Sequence, residues 1–216
     1  MLKLYADPIT VNCRKVIAGL DLIGAPYERV HVDYFTGQHR ASDYVALNPN
    51  AALPALVDGD FVLWESNAIL QYAADKVGNA TVYPTDPRVR ADINRWLLWE
   101  ASVWFPSCYV YLVENCVKPL LKADPDPAVI AAQDVTFHKL AGILDARLAN
   151  SRWITGADPT IADIALAAPL HMHSFQKVPL GPHPNLRRWM VNEVETLPCW
   201  ERSFVGENFT LERSAA

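Results

Sequence analysis

NAALPALVDGDFVLWESNAI, running from Asn50 to Ile69, holds two short apolar runs around Asp58-Gly59-Asp60 and ends in a polar Glu65-Ser66-Asn67 triplet. Glycine between two apolar runs is a hairpin signal, and a loop of two or three residues is too short to cross a sheet, so these strands pair antiparallel. The triplet opens a helix whose apolar positions, Ile69, Leu70, Tyr72, Ala73 and Val77, recur at helical spacing up to Gly78.

Upstream, Leu2 to Tyr5 reads as a short strand broken by Asp7-Pro8. Cys13, Val16, Ile17, Leu20 and Ile23 then form a helical stripe from Val11 to Gly24. Tyr27 to Val32 returns to alternation and is a strand with one modest polar face. A loop follows, and one or two helical turns stop at Asn48-Pro49. Strand, helix, strand, helix, strand, strand, helix within eighty residues predicts a parallel pair extended by an antiparallel hairpin.

Beyond the proline-rich stretch VYPTDPRVR only helical patterns occur. Ile93, Trp96, Leu97, Glu100 and Trp104 begin a long helix, expected to bend near Pro106 and to end before Pro119. A second spans Ala128 to Asn150, a third Ile161 to Gln176, a fourth Asn185 to Glu195, and a short fifth starts after Pro198. The expected division is residues 1–80, a linker over 81–87, and an all-helical domain over 88–216.

The charge, 19 basic against 24 acidic side chains, and the lack of any basic run beyond Arg187-Arg188 argue against nucleic acid as a partner. No apolar stretch approaches the roughly 18 residues that would span a bilayer, and the start lacks a signal-peptide pattern, so a cytoplasmic location is expected. Cys13, Cys108, Cys116 and Cys199 are too sparse for a disulfide scaffold and lack metal-ligand spacing, so no metal is expected. His171 and His173, two apart on a helix, diverge and are read as structural.

Three segments carry chemistry. Pro54 either starts an edge strand or forms a cis bond with Leu53 that frees the Leu53 backbone for an extended ligand. Ser66 either caps its helix or, with Glu65 and the exposed helix N–H groups, holds the carboxylate and ammonium of an amino acid. Thr10-Val11-Asn12-Cys13 opens the first helix, where Thr10 is either an ordinary N-cap or a hydroxyl that stabilises an anion such as a thiolate.

Together these segments resemble the cytosolic glutathione S-transferases of the theta, delta or bacterial kind, over nearly the whole chain; NPNAALPALVDGDFVLWESNAI and ITGADPTIADIALAAPL carry most of the likeness. The resemblance implies a thioredoxin-like α/β N-terminal domain followed by an all-α domain, a homodimer, and glutathione as co-substrate. It places the family's cis-proline at Pro54 and its cysteinyl-pairing backbone at Leu53. Glu65 and Ser66 become the γ-glutamyl pair, and His39 approaches the glycine carboxylate. Thr10 stands where related enzymes carry a catalytic serine, and both residues donate one hydroxyl hydrogen bond. Ala51 and Ala52 lack the basic or polar side chain that many members place before the cis-proline, and Asn67 stands where delta-like members carry arginine, which leaves a binding role for Asn12. Asp163, in a capping pattern with Thr160, is a folding feature of the family.

A hydrophobic electrophile is expected against Trp104, Phe105 and Tyr109 at the start of the helical domain. Conjugation of glutathione to that electrophile is the expected reaction. Glutathione-dependent peroxide reduction or isomerisation, and a non-catalytic binding or scaffold protein, are the alternatives.

Overall fold

The computed structural model describes residues 1–203 of the 216-residue chain. Residues 204–216, and with them the tail after Gly206, lie outside the described residues. Strand β1 is Leu2–Ala6, helix α1 Val11–Ile23, β2 Tyr27–His31, β3 Ala55–Asp58, β4 Phe61–Trp64 and α2 Ser66–Val77. The four strands form one sheet in the order β2-β1-β3-β4. β1 runs parallel to β2 and antiparallel to β3, and β3 pairs antiparallel with β4. This is the mixed sheet that the hairpin and the helix-separated strands predict, in the thioredoxin-like form that the resemblance implies. Gly59 takes the turn at φ +64°, a conformation that costs glycine little.

α1 and α2 lie side by side, and their approach depends on Gly19: a Cβ there would stand 2.3 Å from Leu70 Cδ2. Leu20, Ile69 and Leu70 are fully buried, as are Ile161, Ile164 and Leu166 of the helical half, and they belong to one continuous apolar core. Burial on that scale, at about 25 cal/mol per Å² of apolar surface, joins both halves into one packed unit.

The helical half begins with α3, a rod over residues 87–120 that contradicts the expected stop before Pro119. Two π-helical turns, Glu100–Trp104 and Val113–Val117, precede Pro106 and Pro119. The wider turns accommodate residues that cannot donate a backbone hydrogen bond, so the rod continues. Helix α4, Pro127–Leu148, buries Phe137, Leu140, Leu144 and Leu148. The expected third helix is broken: α5 covers Ile161–Ala167, a 3-10 turn follows at Ala168–Leu170, and a last turn forms at His173–Gln176. Pro169 enters at that turn. His171 and His173 diverge, His171 Nδ1 meeting the Ala168 carbonyl at 2.9 Å and His173 Nε2 meeting Glu195 at 3.0 Å.

Asp163 is fully buried and accepts from the backbone N–H groups of Ile154 and Thr160, each at 2.9 Å, and from Trp189 Nε1 at 3.1 Å. Burial pushes its carboxyl pKa upward, against those donors. It closes a capping box with Thr160, the folding role that the sequence pattern implies.

Candidate active site

Four segments meet at the end of the sheet where α1 and α2 begin. Thr10 is the N-cap of α1: its hydroxyl accepts from Cys13 N at 3.4 Å and donates to the Asp7 carbonyl at 3.2 Å. Its side chain is half-buried and stands at the positive end of the helix dipole. The Cys13 thiol points into the core, where burial pushes its pKa up to about 12. A thiol so suppressed is no nucleophile.

The Asp7 carboxylate accepts from Ile9 N at 3.0 Å and from Tyr34 N at 2.9 Å, tying the loop before α1 to the loop after β2. Tyr34 in turn stacks on His39, ring centroids 4.8 Å apart. His39 is 6% exposed, and its Nδ1 has no hydrogen-bond partner among the described residues. Asp7, which the sequence presents only as a strand breaker, therefore positions one side of the site.

Leu53-Pro54 is cis. The carbonyl of Ala52 is held by Tyr44 Oη at 2.6 Å and Asn48 Nδ2 at 2.8 Å, which pins the chain just before that bond. Leu53 packs its side chain toward Val32, Tyr44 and Ala55, while its N–H and C=O make no hydrogen bond among the described residues. Backbone groups of this kind ordinarily find a partner.

The start of α2 differs from a capped one. α2 begins at Ser66 itself, and the preceding Glu65 takes φ +73° without making a side-chain cap. A non-glycine residue held there costs of order 1–3 kcal/mol, and such conformations cluster at functional sites. Relieved of capping, the Ser66 hydroxyl donates to Asn12 Oδ1 at 3.3 Å across the α1–α2 junction. Glu65 itself is exposed.

Below Ser66 lies a group that the sequence analysis missed. Lys15 and Glu100, 2% and 0% exposed, form an ion pair at 2.9 Å, and Lys15 Nζ also reaches Ser66 Oγ at 3.1 Å and Asn67 Oδ1 at 3.3 Å. Asn67 Nδ2 donates to Glu100 Oε2 and to the Leu97 carbonyl, both at 2.9 Å. The signal was present: Glu100 falls on the apolar stripe of α3 with Ile93, Trp96, Leu97 and Trp104, and a carboxylate there needs a buried cation.

The aromatic wall divides. Trp104 is fully buried, stacks on Trp99 and Phe137, and donates its indole N–H to the Leu166 carbonyl at 2.9 Å. Its assignment to a substrate pocket is therefore corrected: it is core. Adjacent helical residues point roughly 100° apart, so Phe105 faces elsewhere. Phe105 and Tyr109 stack with centroids 5.4 Å apart, and Phe105 packs in the satellite cluster that contains Val11, directly after Thr10. Thr10, Asn12, Leu53, Pro54, Glu65 and Ser66 thus lie at the end of the sheet where β1 and β4 finish and β3 begins, with Ser66 bonded to Asn12; His39 stacks on Tyr34, and Phe105 packs in the cluster of Val11 with Tyr109 stacked on it.

Known proteins share this framework. Residues 2–75 match the family described as "Glutathione S-transferase, N-terminal domain", and residues 127–191 match "Glutathione S-transferase, C-terminal domain". The chain is 36% identical to Glutathione S-transferase 3 of Zea mays over 75% of its own length and 73% of the relative's. It is 30% identical to Glutathione S-transferase GstB of Escherichia coli K12 over 88% of its length and 91% of the relative's. The theta-class glutathione S-transferase of Xanthomonas axonopodis pv. citri, solved with glutathione bound, superposes with a TM-score of 0.85 at 28% identity, covering 94% of this chain and 97% of that one. Two matching domains in the right order, and relatives along most of the chain, show that it belongs to the glutathione S-transferase family.

Proposed function

We propose that this glutathione S-transferase binds glutathione along Leu53, Glu65, Ser66 and His39, brings its sulfur to Thr10, and transfers it to a hydrophobic electrophile lying against Phe105 and Tyr109. The observation that carries this reading is the 3.3 Å hydrogen bond from Ser66 to Asn12, which brings the start of α2 beside the N-terminus of α1. Glu65 takes the ligand's ammonium, while Ser66, Asn12 and the first N–H groups of α2 take its carboxylate. The free Leu53 backbone pairs with the cysteinyl unit. His39, held against Tyr34 in the loop after β2, approaches the glycine end.

A free thiol titrates near ~8.5, so only a few per cent is ionised at pH 7; lowering that by about two units is worth roughly 2.7 kcal/mol. Thr10 contributes by turning its hydroxyl hydrogen from the Asp7 carbonyl to the thiolate, beside the α1 dipole. The sulfur lone pair forms a carbon–sulfur bond, the electrophile expels halide or opens a ring, and the thiol proton passes to solvent. Exposed Phe61 and Trp64 on edge strand β4 support association as a homodimer, which sedimentation would register. Among the described residues no helix is long and apolar enough to cross a membrane, and the four cysteines are free and buried. A cytosolic setting accords with those thiols.

The test is a panel of halogenated aromatics, epoxides and hydroperoxides. Thr10→Val is expected to lower conjugation about 10- to 100-fold, as loss of a charge-assisted hydrogen bond implies, whereas Cys13→Ala leaves kcat near wild type. Equal loss in the two variants would remove Thr10 from its role. Turnover confined to hydroperoxides would replace conjugation with peroxide reduction, and absence of glutathione binding in calorimetry would leave a binding scaffold.

A further inference from the structure

The Lys15–Glu100 pair sits one hydrogen bond behind Ser66 and takes no part in the chemistry described so far. Lys15 Nζ has three N–H donors and no acceptor. It meets both Glu100 oxygens at 2.9 Å, Ser66 Oγ at 3.1 Å and Asn67 Oδ1 at 3.3 Å. Facing an ammonium, Ser66 Oγ acts only as acceptor on that side, so its single hydrogen is forced toward Asn12 and the cleft. A cation behind a hydroxyl polarises it and strengthens its hydrogen bond to an incoming anion.

The placement is specific. Lys15 is buried inside α1 rather than reaching solvent, and Phe105 covers it, with Nζ 5.8 Å from the ring centroid. Glu100 opens the π-helical turn of α3, and its negative charge is offset by Lys15 and the Asn67 amide, so it does not repel a carboxylate at Ser66. Asn67 cannot supply positive charge there itself.

We propose that Lys15 is a positioning residue for the γ-glutamyl carboxylate of glutathione: it fixes the direction of the Ser66 hydroxyl and supplies the cationic field behind it, with Glu100 holding the ammonium in place. This rests on the glutathione reading of the site. It assigns to the helical half, through Glu100, a share in glutathione affinity.

The test is a double-mutant cycle read by glutathione calorimetry and by steady-state kinetics. Lys15→Met combined with Glu100→Gln removes the charges as a pair and leaves no lone buried ion. In the presence of Ser66 it is expected to raise the glutathione Kd and KM about tenfold with kcat within about twofold, the size of one charge-assisted hydrogen bond. In a Ser66→Ala background the same pair of changes is expected to shift Kd less than about twofold, because the hydroxyl through which Lys15 acts is gone. Lys15→Arg, which keeps the charge in a different donor geometry, is expected to fall between. An unchanged Kd in the folded double variant would overturn the proposal, as would an equal loss in the Ser66→Ala background or a fall in kcat alone. Should the double variant fail to give a cooperative melt, Lys15→Arg with and without Ser66→Ala carries the same comparison. Wild-type protein that does not bind glutathione sinks the underlying site reading; wild type that binds while the cycle shows no coupling sinks this proposal alone.

Discussion

His171 illustrates how much one side chain can set at the boundary between the two halves. Its ring is buried, its Nδ1 meets the Ala168 carbonyl, and its own carbonyl accepts from Arg14 Nη1 at 3.3 Å. Burial first, and the nearby Arg14 charge second, lower its pKa from 6.5 to about 3. The folded protein therefore binds fewer protons than the unfolded chain across that window. The stability it contributes is complete above pH 6.5 and is lost as pH falls toward 3. From pH 7.5 to 5 the loss is about 2 kcal/mol. Urea unfolding of wild type and of His171→Asn, whose amide can replace the Nδ1 donor, is expected to show a pH slope shallower by that amount in the variant. Equal slopes would mean that the ring protonates in the folded state. None of this is legible in LHMHSF, where spacing indicates only that the two histidines diverge. The cis alternative at Leu53-Pro54 and the helix starts at Thr10 and Ser66 are legible because they are set locally, at a strand entry or a helix start. Trp104 misleads because an aromatic cluster does not reveal which face turns inward.

Elements were readable wherever periodicity and turn chemistry agreed. The β3–β4 hairpin, α1, α2 and α4 come within a few residues of the sequence pattern. α3 and the segment after α5 depart from the sequence pattern for one reason: a proline marks a missing donor, not whether the chain responds with a π turn, a 3-10 turn or a stop. Contact between elements is harder still, and Gly19 shows why. In sequence it is a weak point of a helix; in space it lets α1 meet α2, with the added Cβ 2.3 Å from a fully buried Leu70. Gly19→Val is expected to lower stability by about 1–3 kcal/mol through overpacking, despite removing a flexible glycine. Leu70→Ala opens the same space, so the double variant should be less unstable than the sum of the two singles, as read by chemical denaturation. Strict additivity would show that the helices can slide apart.

At the scale of the molecule, the division into a sheet-containing half and a helical half follows composition along the chain, but their union does not. Lys15 meets Glu100 across 85 residues and Arg14 meets Ser203 across 189, while the Ile161 N–H donates to the Val82 carbonyl at 3.2 Å. Such pairs form only after the halves have packed, so no local pattern announces them. One core runs from Leu4 and Leu56 through Leu70 and Ile164 to Phe137. A defect far from the sheet should therefore be felt within it. Phe137→Ala in α4 is expected to cost about 3–5 kcal/mol, and in a continuous core that loss is shared by every amide that opens only on global unfolding. Native-state hydrogen exchange supplies the measurement. The slowest amides of β1 and β3 are expected to lose protection by the same free energy as those of α4. Sheet amides that keep wild-type protection would show that the halves unfold as independent units and that the contacts at Lys15 and Arg14 hold them together without coupling their stabilities.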